Sequence, residues 1–306
     1  MIKMKKKLML IMGLFLFLIS AYDGLSSVKS KITPPSLPLP ASVTETFTIP
    51  PTIIASPMPT ATWVAQGPDT INVPILLYHH IDVSPTNSQY YVSPDKFEEQ
   101  MKLLRDWEYA TITTEMLVNA IRKGSALPPR PILVTFDDGN LDNYTIAFPI
   151  MQKYGFTGVL YIVDNYLGAD KYMNAQQIKE MAGVGWEVGS HSRTHVDLTM
   201  VETKRQRYEI VDSRIFLKKE LGLPILSFSY PYGVSNHSVI NYAELSGYIA
   251  GMGLGITNDQ STGNLFTLQR RGVKGMYDLN QFASLLSWQG NPIYLPTDTP
   301  VPAVRR

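Results

Sequence analysis

The feature that most restricts the fold of this chain is a regular alternation between two kinds of segment across residues 73–288. Short runs of apolar and β-branched residues, such as 132–136, have the length and composition of buried strands. Between them lie segments with helical periodicity, one of which follows the helix-start pair Ser93-Pro94. About seven such strand-helix units in about 220 residues predict a parallel sheet closed into a (β/α) barrel rather than an open sheet.

The same pattern predicts where the individual elements lie. Strands are expected at residues 73–81, 109–112, 132–136, 157–163, 186–188, 226–229, 248–252 and 265–270. A helix is expected to start at Pro94, and further helices at residues 115–122, 144–154, 175–181, 202–221, 239–246 and 279–288. Glycine readily adopts the left-handed conformation that ends a helix, and such residues follow three of these segments at Gly124, Gly155 and Gly222.

Three polar clusters follow predicted strands, namely His79-His80, Asp137-Asp138 and residues 230–233. In a parallel barrel the chemistry lies at the C-terminal ends of the strands, so we expect these clusters to share one site. Two adjacent aspartates cannot both be buried unless a cation compensates them. Taken alone, a strand followed by Asp-Gly also fits an ordinary turn, so this cluster needs support from a second one.

The first 21 residues have the pattern of an export signal. Lysines at positions 3, 5, 6 and 7 precede an apolar run over residues 8–19, which ends at Ser20-Ala21. This run is shorter than the roughly 20 residues of a membrane-spanning helix, which favours a cleaved signal. Ile19 fits a small-residue cleavage site poorly, so an uncleaved N-terminal anchor is the alternative. Such an anchor is the only membrane contact that the sequence predicts.

Two segments outside the alternating region lack any helical or strand period. Residues 22–72 are rich in proline, serine and threonine, which is typical of a disordered, semi-extended linker. The tail at residues 291–306 is also rich in proline and is predicted to be flexible. We therefore expect one folded catalytic domain at residues 73–290, separated by the linker from the signal or anchor at residues 1–21.

Composition excludes several classes of protein. The chain has no cysteine, so disulfides, a thiol nucleophile and cysteine metal ligands are ruled out. An exported protein of 306 residues without disulfides depends on its core for stability, which favours an extracellular or cell-envelope enzyme over a small cross-linked domain. The net charge is +1 and becomes about −3 without the four N-terminal lysines. Neither value provides the basic surface of a nucleic-acid-binding protein.

His191 and His195 stand four residues apart, a spacing that can bring two imidazoles to one face of a helix or around one tight loop. Alone, such a pair is commonly a coincidence of surface residues. Two imidazoles with one carboxylate from Asp137-Asp138 would suit zinc or a similar divalent cation. The two aspartates could then divide the labour, one binding the cation and the other accepting a proton.

At these residues the sequence resembles the polysaccharide deacetylases of carbohydrate esterase family four, whose NodB homology domain is a distorted (β/α) barrel. The resemblance covers about residues 73–288. Residues 135–139 resemble the family's first motif, which implies that Asp137 is the general base and Asp138 a metal ligand. Residues 191–195 resemble the second motif, whose two histidines complete the metal site.

Residues 228–233 are similar to the family's third motif, with one departure. The resemblance implies that Tyr232 shapes the substrate groove and that its backbone amide stabilises the oxyanion. The motif usually begins with an arginine that braces the catalytic base, but Ser229 stands at that position. Because a later strand of the family carries an arginine, Arg270 is the candidate brace for Asp137, and Arg271 is the second choice.

The histidine that normally serves as general acid near the C-terminus is missing, since no histidine follows His237. In the branch of the family that contains the exopolysaccharide deacetylases, the barrel is circularly permuted and an early Tyr-His pair takes this role. Tyr78-His79 is similar to that pair. The resemblance therefore implies that His79 is the general acid, with His80 as the alternative; a histidine that merely caps the strand is the non-functional interpretation.

The resemblance implies an enzyme that hydrolyses N-acetyl groups of an N-acetylglucosamine-containing polysaccharide, releasing acetate and a free amine. The early Tyr-His pair favours poly-N-acetylglucosamine over peptidoglycan or chitin-like polymers. The cofactor would be a divalent metal, Zn²⁺ first, with Co²⁺, Ni²⁺ or Fe²⁺ able to use the same ligands. An O-acetyl esterase and a catalytically silent glycan-binding module are the alternatives. We expect a monomer.

Overall fold

In the computed structural model the fold is described for residues 63–291. The predicted export signal at residues 1–21 lies outside the described residues. The same is true of residues 22–62 of the predicted linker and residues 292–306 of the predicted tail. Within the described range, no helix has both the length and the apolar character needed to cross a membrane.

Most strands of the described region belong to one sheet. The strands are β1 (Val64–Gln66), β2 (Ile71–Asn72), β3 (Ile75–Tyr78), β4 (His80–Ile81), β5 (Tyr91–Val92), β6 (Ala110–Thr111), β7 (Ser125–Leu127), β8 (Pro131–Phe136), β9 (Val159–Ile162), β10 (Glu187–Ser190), β11 (Ser227–Ser229), β12 (Ala250–Leu254), β13 (Asp259–Gln260) and β14 (Leu268–Gly272). Strands β3, β8, β9, β10, β11, β12 and β14 pair in parallel in this order, and β14 pairs with β3. The seven strands form a closed barrel, which confirms the predicted fold class.

Every predicted strand is present, although the ends differ by a few residues. The predicted strand at residues 109–112 is not part of the ring, because β6 pairs only with the first residues of β8. The apolar segment at residues 73–81 forms two strands rather than one. Its second part, β4, leaves the barrel and pairs with β5.

Side chains of the barrel strands alternate between two apolar clusters, as strand geometry requires. In β8, Leu133 packs with Ile75 and Leu268 in one cluster, whereas Val134 and Phe136 belong to the cluster that packs beneath the helices. The first set lies inside the barrel. Asp137 follows the inward row of β8, so its carboxyl group is placed at the C-terminal mouth of the barrel.

Helices connect the strands on the outside of the barrel. They are α1 (Pro94–Asp106), α2 (Thr114–Lys123), α3 (Phe148–Lys153), α4 (Ala175–Gly183), α5 (Thr203–Arg207), α6 (Ser213–Leu221), α7 (His237–Leu245) and α8 (Leu279–Ala283). Helix α1 begins after Ser93 with Pro94 in its first turn, as predicted. Gly222 ends α6 in the left-handed conformation, with φ of 68°.

Two predicted helices contain a π-helical turn that the sequence does not reveal. The helix predicted at residues 144–154 starts as a π turn at Asn143–Ala147 and continues as α3. The helix predicted at residues 202–221 follows one helical path through α5 and α6, but a π turn at Tyr208–Asp212 separates them. Such turns widen the helix locally and are frequent near functional sites.

The prediction of a helix over residues 279–288 was wrong beyond Ala283. A capping box between Asp278 and Gln281 starts α8, which then ends after five residues. The chain that follows is fixed by other contacts. The Tyr109 hydroxyl donates a hydrogen bond to the Trp288 carbonyl and accepts one from the Trp288 N–H. Because these groups bond to Tyr109, Trp288 cannot continue the ladder of the helix.

The fold begins before residue 73, where the linker was expected to end. Strand β1 pairs antiparallel with β7, and β2 pairs antiparallel with β13. Ile71 is buried in the same apolar cluster as the barrel interior. The linker expected at residues 22–72 therefore overlaps the fold from residue 63 onward, because two short strands and one apolar side chain attach this segment to the domain.

Candidate active site

A cleft of about 710 Å³ opens at the C-terminal ends of the barrel strands, as expected for this architecture. Its size suits a ligand of a few hundred daltons. The walls include aromatic side chains and, besides Arg270, two further cationic side chains, Arg271 and Lys274. The cleft brings together every site residue predicted from the sequence: His79, His80, Asp137, Asp138, His191, His195, Tyr232 and Arg270.

Asp137 and Arg270 form a buried ion pair at the base of this cleft. Arg270 is 1% exposed and lies inside the barrel, on β14. Its Nη1 and Nη2 donate to Oδ1 and Oδ2 of Asp137, both at 2.7 Å. A two-point contact of this kind fixes the plane of the carboxylate as well as its position.

Ser229 is the third member of this arrangement. Its hydroxyl donates to Asp137 Oδ2 at 3.1 Å and accepts a hydrogen bond from Arg270 Nη2 at 2.9 Å. The serine that replaces the family's usual arginine therefore still contacts the acid, while the guanidinium arrives from β14. Burial would raise the pKa of Asp137, but Arg270 and His191 outweigh it and hold this pKa well below its usual range. Asp137 is ionised at neutral pH.

Asp138 lies at the point where the backbone turns sharply away from β8. Its φ is 75°, and that of Gly139 is 80°, so the chain takes two consecutive left-handed residues. This turn directs the Asp138 carboxylate toward the two histidines. Its Oδ1 lies 3.6 Å from His191 Nε2 and 3.5 Å from His195 Nε2. Burial raises the pKa of this carboxyl group.

His191 follows β10 and is almost completely buried. Its Nδ1 lies 2.7 Å from the Ser229 carbonyl oxygen, which can only accept a hydrogen bond. The proton is therefore on Nδ1, and the lone pair of Nε2 faces Asp138. Burial lowers the pKa of both His191 and His195, which favours neutral rings that can act as ligands.

The donor set of Asp138, His191 and His195 fits a divalent cation. Their ligand atoms lie within 4.8 Å of one another. Asp138 Oδ1 is buried and has no hydrogen-bond partner among the described residues. Such an oxygen is costly unless a positive group satisfies it. One carboxylate and two imidazoles are ligands typical of zinc and related metals, and they leave further coordination positions open.

His79 lies immediately beyond β3, next to Asp137. The pairing of Tyr78 with Phe136 aligns the ends of β3 and β8, and the Asp137 N–H donates to the Tyr78 carbonyl at 3.0 Å. The carbonyl of His79 is held by Asn143 Nδ2 at 2.8 Å. Burial lowers the pKa of the His79 ring, although Asp137 and Asp138 act in the opposite direction.

The side chain of His80 makes different contacts from that of His79. Its Nδ1 lies 2.6 Å from Asp142 Oδ2, and its ring stacks on Tyr91 with a centroid distance of 4.0 Å. The other oxygen of Asp142 accepts from the Ile81 N–H. His80 therefore lines the cleft as part of a fixed Asp-His pair.

Tyr232 stands at the edge of the cleft, in the turn that follows β11. It has a left-handed φ of 61° and is 60% exposed. Its hydroxyl donates to the His195 carbonyl at 3.3 Å, and its ring lies 4.8 Å from the His195 ring. An exposed aromatic ring beside the candidate cation site can contact a sugar face.

Sequence reasoning missed Asp142 and the two asparagines near His79, Asn140 and Asn143. These residues follow Gly139 within four positions, between the predicted strand at residues 132–136 and the predicted helix at residues 144–154. The signal that could have indicated them is the density of carboxylates and amides directly after the Asp-Asp-Gly strand end. Such groups commonly bond to nearby backbone atoms in a turn.

The fold and the cleft define an enzyme-like (β/α) barrel whose mouth carries an acid pair and two histidines in an arrangement that fits a divalent cation. Residues 124–251 match the family model described as polysaccharide deacetylase. YxkH of Bacillus subtilis (strain 168), named as a polysaccharide deacetylase, is 30% identical over 193 residues, which are 63% of this chain and 68% of that protein. The chain belongs to the polysaccharide deacetylase family.

Two further relatives extend this comparison. The deacetylase PplD of Streptococcus pyogenes, solved in complex with acetate, superposes with a TM-score of 0.66 at 27% identity, covering 71% of this chain and 98% of that one. The poly-beta-1,6-N-acetyl-D-glucosamine N-deacetylase of Staphylococcus aureus (strain MRSA252) is 25% identical over 179 residues. That match covers 54% of this chain and spans 61% of the length of the relative. The predictions of family, fold and enzyme class are confirmed.

Proposed function

We propose that this protein is a metal-dependent deacetylase that removes N-acetyl groups from an N-acetylglucosamine-containing polysaccharide. The observation that supports this most directly is the placement of the Arg270-bound Asp137 beside the Asp138-His191-His195 group in one cleft. The Staphylococcus aureus relative is named for the same polymer class. The reaction adds water across the amide, breaks the C–N bond, and yields acetate and a free amine.

The cation would be held by Asp138, His191 and His195. When bound there, a divalent metal supplies Lewis-acid chemistry: it polarises a carbonyl and makes a water molecule more acidic. Zn²⁺ is the first candidate, and Co²⁺, Ni²⁺ and Fe²⁺ suit the same donors. His191 is held ready for this role, because its bond to the Ser229 carbonyl fixes both the tautomer and the direction of Nε2.

Asp137 acts as the general base in this proposal. Arg270 and Ser229 hold its carboxylate in one orientation and keep it ionised, so it can accept a proton from the attacking water at neutral pH. Arg270 is a positioning residue, because it acts through Asp137 and is buried beneath it. His79 delivers the proton to the departing amine; burial lowers the pKa of its ring, and the adjacent carboxylates of Asp137 and Asp138 offset part of that effect.

Tyr232 contributes to binding rather than to proton transfer. Its exposed ring forms one wall for the sugar, and its backbone N–H donates to the oxyanion that develops on the acetyl carbonyl. Further aromatic side chains in the cleft, Tyr90, Tyr91 and Tyr277, offer flat faces for neighbouring sugar units.

We also propose that the enzyme is exported and acts outside the cell or at its envelope, as a monomer. The support for export is the cationic start and apolar run of residues 1–21. A polymeric substrate is consistent with this location, since polysaccharides of the relevant size are assembled or retained outside the membrane.

The test is acetate release by the full chain from N-acetylglucosamine oligomers and, in parallel, from O-acetylated glycans. We expect release from the N-acetylated oligomers, loss of release after chelation, and recovery when Zn²⁺ or Co²⁺ is added back. Release only from the O-acetylated glycans would identify an O-acetyl esterase instead. A folded, metal-loaded protein that binds glycans but releases no acetate would be a binding module.

His79→Ala and His80→Ala distinguish the two candidates for the general acid. We expect kcat to fall by about 10²-fold or more in His79→Ala, because the leaving amine loses its proton donor. In His80→Ala we expect kcat to change by less than about tenfold. The ring of His80 is already bound to Asp142, so it is not the group expected to donate the proton. Steady-state kinetics with N-acetylglucosamine oligomers measure both values. The larger loss in His80→Ala would transfer the role of acid to His80.

A further inference from the structure

We infer that Glu209 is a positioning residue for the loop that carries His195, and that it sets the affinity of the cation site without touching the cation. This inference rests on the proposed metal-dependent function. Glu209 belongs to the π-helical turn Tyr208–Asp212, outside the cleft, and is 0% exposed. In the sequence it is one of several charged residues in the helix predicted over residues 202–221, with no motif to mark it.

The carboxylate of Glu209 receives several hydrogen bonds from this loop. Its Oε2 accepts from the backbone N–H groups of Arg193 and Thr194, at 2.9 and 2.8 Å. Its Oε1 accepts from the Thr194 hydroxyl at 2.6 Å and contacts Arg205 Nη2 at 2.7 Å. Because each oxygen faces two donors, the group fits as an ionised carboxylate, which can only accept.

The loop needs such a partner because of its backbone conformation. Ser192 and His195 have φ values of 69° and 58°, in the left-handed region that non-glycine residues seldom occupy. Successive N–H groups in a conformation of this kind converge into a small anion-binding concavity. The Glu209 carboxylate occupies that concavity from the side that faces away from the cleft. The His195 N–H is bound separately, by the Ser192 hydroxyl at 3.0 Å.

The π turn places Glu209 where it can reach the loop. One residue beyond the turn, the Ser213 hydroxyl bonds to Ser190 Oγ at 2.7 Å and to Asp164 Oδ1 at 2.7 Å. Ser190 is the last residue of β10, and His191 follows it. The helical segment that carries Glu209 and Ser213 is therefore hydrogen-bonded to the chain on both sides of His191-Ser192. A displacement of Glu209 would for this reason shift His195 relative to His191.

Glu209→Gln keeps the size of the side chain but converts one acceptor into an NH₂ donor. That donor must face either the two backbone N–H groups or the Thr194 hydroxyl and Arg205. Removing a partner that orients a metal ligand commonly costs about 10- to 100-fold in metal affinity. We expect the Kd for Zn²⁺ to rise by that factor, and the visible absorption spectrum of the Co²⁺-loaded protein to change because the ligand geometry changes.

The experiment measures Zn²⁺ affinity by chelator competition, the Co²⁺ spectrum, and hydrogen exchange at the Arg193 and Thr194 amides of the metal-free full chain. Glu220→Gln is the matched control, since Glu220 lies on α6 and is exposed. Thr194→Val removes one hydrogen bond to Glu209 and is the variant to be tested if Glu209→Gln does not fold. Thr194→Ser retains the hydroxyl and should restore the affinity to near the unsubstituted value.

Weaker Zn²⁺ binding in Glu209→Gln and Thr194→Val, with recovery in Thr194→Ser, supports the inference. Unchanged affinity and an unchanged Co²⁺ spectrum in both variants would overturn it, even if their thermal stability falls. If the unsubstituted chain binds no divalent cation, the proposed metal dependence fails by itself. Faster amide exchange at Arg193 and Thr194 in Glu209→Gln would then still support the positioning of the loop, and unchanged exchange would overturn it.

Discussion

Replacing His191 by alanine is expected to remove measurable Zn²⁺ binding and to reduce acetate release by about 10³-fold or more. His191 is buried, and its Nε2 faces Asp138 Oδ1 at 3.6 Å. Without it, only two of the three ligand residues remain, Asp138 and His195. Treatment of the unsubstituted protein with a chelator should have the same kinetic effect, because both changes remove the same Lewis acid. Calorimetry of Zn²⁺ binding and acetate release measure the two consequences.

His237→Ala provides the control, since His237 is exposed at the start of α7 and does not line the cleft. It should keep both the metal affinity and the activity of the unsubstituted protein. Full acetate release by His191→Ala, or by the chelated protein, would contradict metal-dependent catalysis at this site. Binding of Zn²⁺ with unchanged affinity in His191→Ala would instead show that the cation is held elsewhere.

The barrel could be predicted from the sequence because its signals are local. The run of β-formers at residues 132–136 and the repeated change to helical periodicity each act within a few residues. The position of Asp137 at the mouth also follows from local geometry, because strand alternation continues the inward row of Leu133 and Thr135. Parallel strands have their C-terminal ends at one face, so polar residues after different strands had to meet there.

The partners of these residues could not be predicted in the same way, because they depend on pairing register. Arg270 can contact Asp137 only because β14 and β8 lie on either side of β3 in the closed ring. The family resemblance suggested this contact, but no spacing in the chain indicates it. Ser229 was noted as a departure from a motif, and its bonds to both members of the ion pair became visible only in the structure.

Glu209 shows why a residue that supports a site without lining it is hard to find from the sequence. It is one carboxylate in a helical segment that contains several charged residues, and helical periodicity assigns it no special position. Its access to the loop at Arg193 and Thr194 depends on the π turn at Tyr208–Asp212, which changes the direction of the side chains locally. The early end of α8 has a similar origin, because a contact with Tyr109, about 180 positions earlier in the chain, competes with the helical ladder.

Asp137→Asn is expected to reduce kcat by about 10²- to 10⁴-fold while the Kd for Zn²⁺ changes only a few-fold. The amide has the size of the carboxylate but cannot accept the proton of the attacking water. Asp138, His191 and His195 remain in place as donors, so loss of activity is separated from loss of the cation. The substitution also leaves the buried Arg270 without its full counter-charge, which costs about 3–5 kcal/mol of stability. Thermal unfolding must therefore be measured beside the kinetics.

Two companion variants make the result specific to the base. Asp106→Asn alters an exposed carboxylate at the end of α1 and should leave kcat and stability nearly unchanged. Arg270→Lys keeps a positive charge beside Asp137 but loses the two-point contact, so we expect a smaller reduction in kcat than in Asp137→Asn. If Asp137→Asn is folded, binds Zn²⁺ and retains full activity, Asp137 is not the base. If Arg270→Lys loses as much activity as Asp137→Asn, the orientation of the carboxylate matters as much as its charge.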